Sequence, residues 1–416
     1  MGGGASSYAP QGKDFSVGQV IGVGSFATIM KACHLPTKTH LAMKVISIDT
    51  ITKKSIGMNL LMGELTALKT LPYHPLLSNL HFAFHDNRNC YMAIDLLEGG
   101  DLRYYLNTFM EFTEKHIVFI AASVALGLNH IHSHGIIHRD LKPENIVLDK
   151  RGYVRLVDFG IAHNSATSGS IVCTQTSGTF GYHSPEVLTT THQHSFESDF
   201  WSLGIMLHEL VYLRRPFAKH CPRQFVQYVE SMYDDLWDSY IFRQSDDTMT
   251  TRTCDASISF SRYTTTQKFF VEDSEIEVSN HMNDNTVGIP RVSLPQATPY
   301  ERDVSPEFVS LIHGLLDVRI PTRLGAGKNF TALQRHRFFG LLEGSWRSLL
   351  DKKYPSPFNV DVCAVKTHIE RRFFSTFTPG SVSQNGKVCT SQEVKAILKK
   401  YSYFAPQYRP SKSTAI

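Results

Sequence analysis

The chain has no Cys-x-x-Cys pair, no long unbroken apolar run and no dominant sign of charge. Its seven cysteines (Cys33, Cys90, Cys173, Cys221, Cys254, Cys363 and Cys389) are odd in number and widely scattered. Neither a disulfide framework nor a zinc site is expected from them, and a reducing interior is the natural setting. The longest apolar stretch, Ile117 to Leu128, falls short of the ~20 residues that a bilayer core demands, and no charged-then-apolar leader opens the sequence. Lys+Arg of 42 against Asp+Glu of 38 leaves only +4, too balanced for a dedicated nucleic-acid binder. What is present is core material: 42% hydrophobic and 11% aromatic residues over 416 positions exclude a wholly disordered polymer. One two-lobed enzyme of ~250–300 residues with extensions accounts for the length. The expectation is a soluble, cytoplasmic globular protein.

Residues 1–14, rich in Gly, Ser and Ala, read as a flexible lead-in. From Phe15 to about Ile48 apolar runs broken by glycine and by Leu35-Pro36-Thr37-Lys38 predict strands, and a second strand group is expected at 80–97. Leu60, Leu61, Leu65, Leu68 and Leu71 recur at helical spacing, and helical patterns dominate from 101 onward, notably at 115–134, 199–213 and 304–316. Short strands are expected at 145–148 and 153–157, and a helix at Ser391–Tyr401. Residues 234–303 hold 13 Asp+Glu, 6 Lys+Arg, 9 Thr and 8 Ser, a net −7, so the remainder carries +11. Such a polar stretch without periodicity reads as an acidic inserted loop.

The segment Ile21-Gly22-Val23-Gly24-Ser25-Phe26-Ala27-Thr28-Ile29 lies between strand patterns. Glycine lets backbone N–H groups approach a polyphosphate because no Cβ intervenes, although the same letters also make ordinary hairpins. Lys44, on the following strand, could reach those phosphates, and Glu64, on the helix after it, could keep the ammonium charged. More specific is His138-Arg139-Asp140-Leu141-Lys142-Pro143-Glu144-Asn145, followed by Asp158-Phe159-Gly160. Phosphoryl transfer asks for a carboxylate to orient and deprotonate the attacking hydroxyl, for metal on the phosphates and for a cation on the moving group. Asp140 fits the first role, Asn145 and Asp158 offer hard oxygen ligands suited to Mg²⁺, and Lys142 fits the third. Loop-capping ion pairs are the plainer reading of the same acids, and the combined spacing argues against it.

In order, from about Phe15 to Phe339, these segments resemble the signature set of the eukaryotic protein kinases. The resemblance continues through Ser184-Pro185-Glu186, Asp199-Phe200-Trp201-Ser202-Leu203-Gly204 and Arg323. Lys142 and Thr179 resemble the serine/threonine class. His74-Pro75-Leu76-Leu77-Ser78-Asn79-Leu80 and Leu96-Leu97-Glu98-Gly99-Gly100-Asp101-Leu102-Arg103-Tyr104-Tyr105-Leu106 look like the AGC group, especially its YANK-like branch. Ser356-Pro357-Phe358 is similar to part of the C-terminal tail that AGC kinases wrap over the small lobe.

The resemblance implies an α+β bilobal kinase fold: a small antiparallel β lobe with one helix (15–97), a larger, mainly helical lobe (98–339) and a C-terminal tail (340–416). It implies transfer of the γ-phosphoryl group of Mg·ATP to Ser or Thr of protein substrates. Adenine would lie under Ile21, Ile29 and Ala42 and over Val147, with Asp95 to Leu97 as the hinge and Asp101 near the ribose. Lys44 would anchor the α/β-phosphates under the Gly22–Ala27 loop. Glu186 and Arg323 would pair to hold the far end of the activation segment, and Thr179 would contact the catalytic Asp and Lys. Three departures stand out: Ala27 occupies the place of the third loop glycine, His183-Ser184 replaces the usual apolar-Ala pair, and the 234–303 insertion follows a helix expected at about 222–233, as a tolerated low-complexity insertion or a binding loop. The alternative is a pseudokinase scaffold, whose usual mark is loss of a residue such as Lys44, Asp140 or Asp158; none is lost.

Arg139 often answers, in this family, to a phosphate on the activation segment. Here the usual acceptor position falls on Gln175, so either the flanking Thr174 or Thr176 carries the phosphate or the segment orders unmodified. Met1-Gly2-Gly3-Gly4-Ala5-Ser6 fits the N-myristoylation pattern at Gly2, as a glycine-rich start does by composition alone. One acyl chain supports reversible, peripheral membrane attachment only. Glu144 and Asp101 suggest a preference for basic residues on the N-terminal side of the acceptor, although solvated loop acids read the same way.

Overall fold

A computed structural model describes residues 10–24, 27–53, 57–108, 111–165, 177–188, 193–216, 304–325, 327, 329–342, 346–374 and 392–405. The expected helix near 222–233, the acidic insertion, Thr174, Thr176 and Gly2 lie outside them. The chain divides into two compact units: Met1–Met110 with Val118–Ile171 and Leu342–Ile416, and Glu111–Ile117 with Val172–Leu341.

The first unit is built on a six-stranded antiparallel sheet. Its strands are β1 (Phe15–Val23), β2 (Ala27–His34), β3 (Thr39–Ser47), β4 (Leu80–His85), β5 (Asn89–Asp95) and, from the far end of the chain, Tyr403–Phe404, in the order β1-β2-β3-β5-β4 and then Tyr403–Phe404. Strand β3 shows why the sheet forms. With a side-chain period of two, Leu41, Met43 and Val45 enter a core with Phe15, Ala32, Phe82, Phe84 and Ala93, and Ala42 and Lys44 point to the opposite face. Phe15 stacks on Phe84 (centroids 5.2 Å) and meets Phe82 edge-on (5.3 Å). A 3-10 turn at Gly12–Asp14 precedes Phe15, within the segment expected as a flexible lead-in.

Two helices follow β3: α1 (Ile48–Thr52), whose N-cap Ser47 accepts from the Thr50 N–H, and α2 (Gly57–Thr70). On α2 the buried stripe is Leu61, Glu64, Leu65 and Leu68, so one carboxylate stands among leucines. Next come α3 (Leu102–Thr108), α4 (Glu114–Ser133), β6 (Ile136–Ile137), the hairpin β7 (Ile146–Leu148)–β8 (Val154–Leu156) and β9 (His163–Asn164). Helix α4 corrects one expectation. Its full length is long and apolar enough to cross a membrane, although Ile117–Leu128 alone is not; 72% of its most apolar window is buried inside the protein, as in a core helix.

Within the first unit the tail packs on the elements before it, and two of its contacts bear on the expectations above. Tyr153 Oη donates to the carbonyls of Lys352 (2.6 Å) and Tyr354 (2.8 Å), and Ser356 Oγ donates to Gly152 O (2.8 Å). Ser356-Pro357-Phe358 therefore lies on the β7–β8 turn, and the piece of tail on the sheet is Tyr403–Phe404, paired with Ala83 and Phe82. Tyr401 beside it is fully buried.

In the second unit the Phe196–Tyr212 helix is buried along most of its length and packs on the Pro306–Leu315 helix, which Ser305 caps by accepting from the Phe308 N–H. Leu213 ends the first of these in the left-handed conformation, its N–H on Glu209 O (2.8 Å).

Candidate active site

All the sequence-predicted groups for phosphate and metal chemistry in the described residues fall in the first unit. Lys44 leaves the face of β3 opposite the core and meets Glu64 of α2: Nζ to Oε1 is 2.5 Å. Asp158 Oδ1 is 3.4 Å from the same nitrogen. Burial alone would strip the proton from Lys44, but the charges and hydrogen bonds of Glu64 and Asp158 outweigh it, and its pKa ends above the ordinary lysine value. Burial pushes the Glu64 carboxyl up, against the pull of Lys44. The Lys44 charge, above the effect of burial, holds Asp158 below the usual carboxylate range. The lysine faces two anions, whereas each carboxylate faces one cation and one anion, so the proton stays on nitrogen.

Around Asp140 the backbone is folded tightly. Lys142 Nζ donates to Asp140 Oδ2 (2.8 Å), and Asn145 Nδ2 donates to Asp140 O (2.7 Å) and Oδ2 (3.2 Å). Pro143 starts the 3-10 turn Pro143–Asn145, its fixed φ suiting a first helical position. The fully buried His138 ties the turn to the Asp158 segment: Nε2–H donates to Val157 O (3.0 Å), Nδ1 accepts from the Asp140 N–H (3.3 Å), and the ring meets Phe159 at 5.3 Å. The Val157 N–H donates to Asn145 O (3.0 Å), closing the link. Arg139 and Asp158 both sit at positive φ (69° and 62°), where a side chain costs ~1–2 kcal/mol. Arg139 Nε donates to Ile161 O (2.6 Å), which offsets part of that cost. Strain of this kind is kept where it aims a functional side chain.

The residues expected around a nucleotide fall into three groups. Ile21, Gly22 and Val23 end β1, and the N–H of Gly24, the next residue, donates to Ala27 O (2.8 Å) to close the loop; Ser25 and Phe26 lie outside the described residues. Ala27 is buried at the start of β2, and Ile29 stands opposite both Gly22 and Lys44 in the sheet. Val147 bridges to Asp101, and the Leu148 N–H donates to Gly100 O (2.8 Å), so β7 runs beside the segment that follows β5 and Leu97.

Asp101 Oδ1 caps α3 through the Tyr104 N–H (2.7 Å). The Asp95 carboxylate turns away to accept from His81 Nε2 (2.7 Å) and Asn79 Nδ2 (2.7 Å), with Arg155 at 3.5 Å. Burial would raise its pKa, but the His81 and Asn79 hydrogen bonds and the Arg155 charge leave it lowered. Its side chain is thus an anchor for the end of β5. His81, Asn79 and Arg155 were not singled out from sequence, because nothing local ties them to Asp95.

In the second unit Glu186 and Arg323 pair through two hydrogen bonds (2.7 and 3.0 Å), with Arg323 wholly buried over the Trp201 ring (5.1 Å). Thr179 takes the Tyr182 N–H on its carbonyl (3.3 Å), and Tyr182 Oη bonds Glu209.

The family model for the protein kinase domain matches residues 15–339. The chain belongs to the protein kinase family. Similar kinases include the serine/threonine-protein kinase Sgk1 of Homo sapiens, 30% identical over 402 residues that cover 94% of this chain and 76% of that protein. The Sgk1 proteins of Gallus gallus (30% over 381 residues, 89% and 71%) and Xenopus tropicalis (29% over 376 residues, 89% and 73%) are also similar. The fold is the α+β kinase fold, and the chain is a serine/threonine protein kinase of the AGC group. Protein kinases as a family work with ATP and Mg²⁺ on protein substrates.

Proposed function

We propose that Asp140 orients and deprotonates the acceptor hydroxyl of a protein Ser or Thr while Lys142 follows the γ-phosphoryl group of ATP. The observation that carries this reading is the linkage of the Asp140–Lys142–Asn145 cluster to the Lys44–Glu64–Asp158 cluster through His138 and Val157. Lys44, kept charged by two acids, is the α/β-phosphate anchor. Lys142 shares Asp140 Oδ2 before substrate arrives, so carboxylate and cation are placed together in advance.

The donor set suits Mg²⁺. With its amide nitrogen committed to Asp140, Asn145 has its oxygen left to offer, and the Asp158 carboxylate is ionised and half exposed. Two protein oxygens and substrate phosphates are the usual set for this ion. Bound there, Mg²⁺ would neutralise phosphate charge. Ile21, Ile29, Ala42 and Val147 supply apolar surface for adenine, and the backbone of Asp95–Leu97 supplies its polar contacts.

Calorimetry with Mg·ATP alongside transfer to Ser, Thr and Tyr peptides tests the reading. Uptake with transfer to Ser and Thr supports it. Uptake without transfer returns the protein to the pseudokinase class, and no uptake removes the site altogether.

The N-terminal pattern supports myristoylation at Gly2, hence a cytoplasmic protein with weak peripheral membrane attachment. Fractionation with an active myristoyl transferase, leaving all protein soluble and unacylated, contradicts this. Thr174 and Thr176 flank the usual acceptor position and are the proposed autophosphorylation sites. Active enzyme without phosphate at 167–177 by mass spectrometry excludes them. The motifs 74–80 and 96–106 support placement in the YANK-like branch.

A further inference from the structure

The Pro143–Asn145 turn folds back on Asp140, since Asn145 touches both its carbonyl and its carboxylate. An acceptor hydroxyl must come to Asp140, and an extended peptide advances ~3.3–3.6 Å per residue. Glu144, in the middle of that turn, is therefore within reach of side chains a few residues from the acceptor. Its carboxylate would attract a basic residue, yet Glu144 Oε1 already accepts from Arg103 Nε of α3 at 2.8 Å. The other oxygen, Oε2, is enclosed by protein and has no hydrogen-bond partner among the described residues. Neither oxygen is offered to an incoming cation. The Arg103 and Glu144 side chains remain 24% and 38% exposed, so the pair reaches solvent beside the Pro143–Asn145 turn.

We propose that Arg103 is a specificity-determining residue: it occupies Glu144 in cis, cancels the acidic subsite beside the phosphotransfer loop, and makes this kinase indifferent to Arg or Lys where Glu144 alone would select them. The inference rests on Asp140 being the group to which the acceptor comes. It replaces the basic preference that Glu144 suggests when read alone. A guanidinium held on that carboxylate also repels a substrate cation, and like charges brought together at a binding surface discriminate between partners.

The test uses the full chain and a peptide series in which each position preceding the acceptor serine is Ala, Arg or Asp. The quantity read is the ratio of kcat/KM between Arg and Ala peptides within each enzyme, which a general loss of folding or activity leaves unmoved. For wild type the ratio is expected within about twofold of unity. Arg103→Gln unmasks Glu144 and raises it about five- to tenfold at one position, the range of a single charge-assisted contact at a half-exposed site. Glu144→Gln removes the carboxylate beside Arg103 and lowers the ratio by a similar factor. The double variant returns to unity.

Because the single variants move the ratio in opposite directions, either one that folds suffices. A wild-type ratio of about ten or more, or variants that all keep the wild-type ratio, overturns the proposal. Absence of phosphate on every peptide strikes the phosphotransfer reading itself, and this inference with it.

Discussion

Glu186→Gln asks whether Arg323 is held by charge or by packing alone. The guanidinium is wholly buried. It donates to both Glu186 oxygens, to Asp317 O from Nε (2.8 Å) and to Glu197 O from Nη1 (3.1 Å). Glutamine preserves the shape and one acceptor oxygen but withdraws the paired negative charge, leaving a buried cation uncompensated. Breaking a buried pair in this way costs about 3–5 kcal/mol. Arg323→Met leaves a carboxylate only 11% exposed without its cation, together with two carbonyls without their donor, and is expected to cost a similar amount. Since both changes remove one shared interaction, the double variant should lose ~2 kcal/mol less than the sum.

Urea unfolding followed by tryptophan fluorescence is the assay, because Trp201 lies under the guanidinium. The midpoint should fall by about 1–2 M in each single variant with an unchanged slope. A Glu186→Gln midpoint within about 0.2 M of wild type, or strict additivity in the double variant, would refute the reasoning. The pair also predicts an acid limb. Burial raises the Glu186 carboxyl, but Arg323 overrides this and leaves its pKa lowered. Its contribution is therefore complete above the unfolded value of ~4.3 and is lost as pH falls through the lower folded value. Glu186→Gln should remove that part of the slope.

Further outcomes are expected elsewhere. Lys44→Met should lower kcat about 10²–10³-fold by removing a preorganised cation, measured by initial rates at saturating ATP; a loss under threefold contradicts its assigned role. His208, buried with Nδ1–H on Arg214 O (3.0 Å), has its pKa pushed down to about 3 by burial. An unfolded histidine takes a proton near 6.5, so this site should cost about 2 kcal/mol of stability on going from pH 7.5 to 5, and His208→Gln should flatten that slope in urea titrations. Tyr401 has its hydroxyl buried without a hydrogen-bond partner, so Tyr401→Phe should be neutral or stabilise by about 1 kcal/mol; a raised midpoint or no change agrees, and a loss above ~1 kcal/mol points to a partner for the hydroxyl.

The parts legible in the sequence are those written locally. The period of two in β3 separates Leu41, Met43 and Val45 from Lys44, and the leucine spacing of α2 places Glu64 on its buried stripe. The spacing of Asp140, Lys142, Asn145 and Asp158 names the chemistry before any coordinate does. What could not be read are commitments made across distance in the chain. Asp95 is claimed by His81 and Arg155, and Glu144 by Arg103, 41 residues away. The strand Tyr403–Phe404 has two residues and no period to detect, and its reason for pairing is the open edge of β4, over 300 residues earlier. Helix α4 was legible end to end, expected at 115–134 and found at Glu114–Ser133, because its polar last turn, with His130 and His132, interrupts the apolar run without ending the helix.

The most direct measurement is phosphate transfer from Mg·[γ-³²P]ATP to a serine peptide by wild type and by Asp140→Asn, with nucleotide binding followed in parallel. The account predicts transfer by wild type, a fall of about 10²-fold or more in kcat in the variant, and unchanged ATP affinity, since the carboxylate acts on the acceptor hydroxyl. Equal transfer by the two proteins would contradict it, because the proton would then be leaving the acceptor without Asp140.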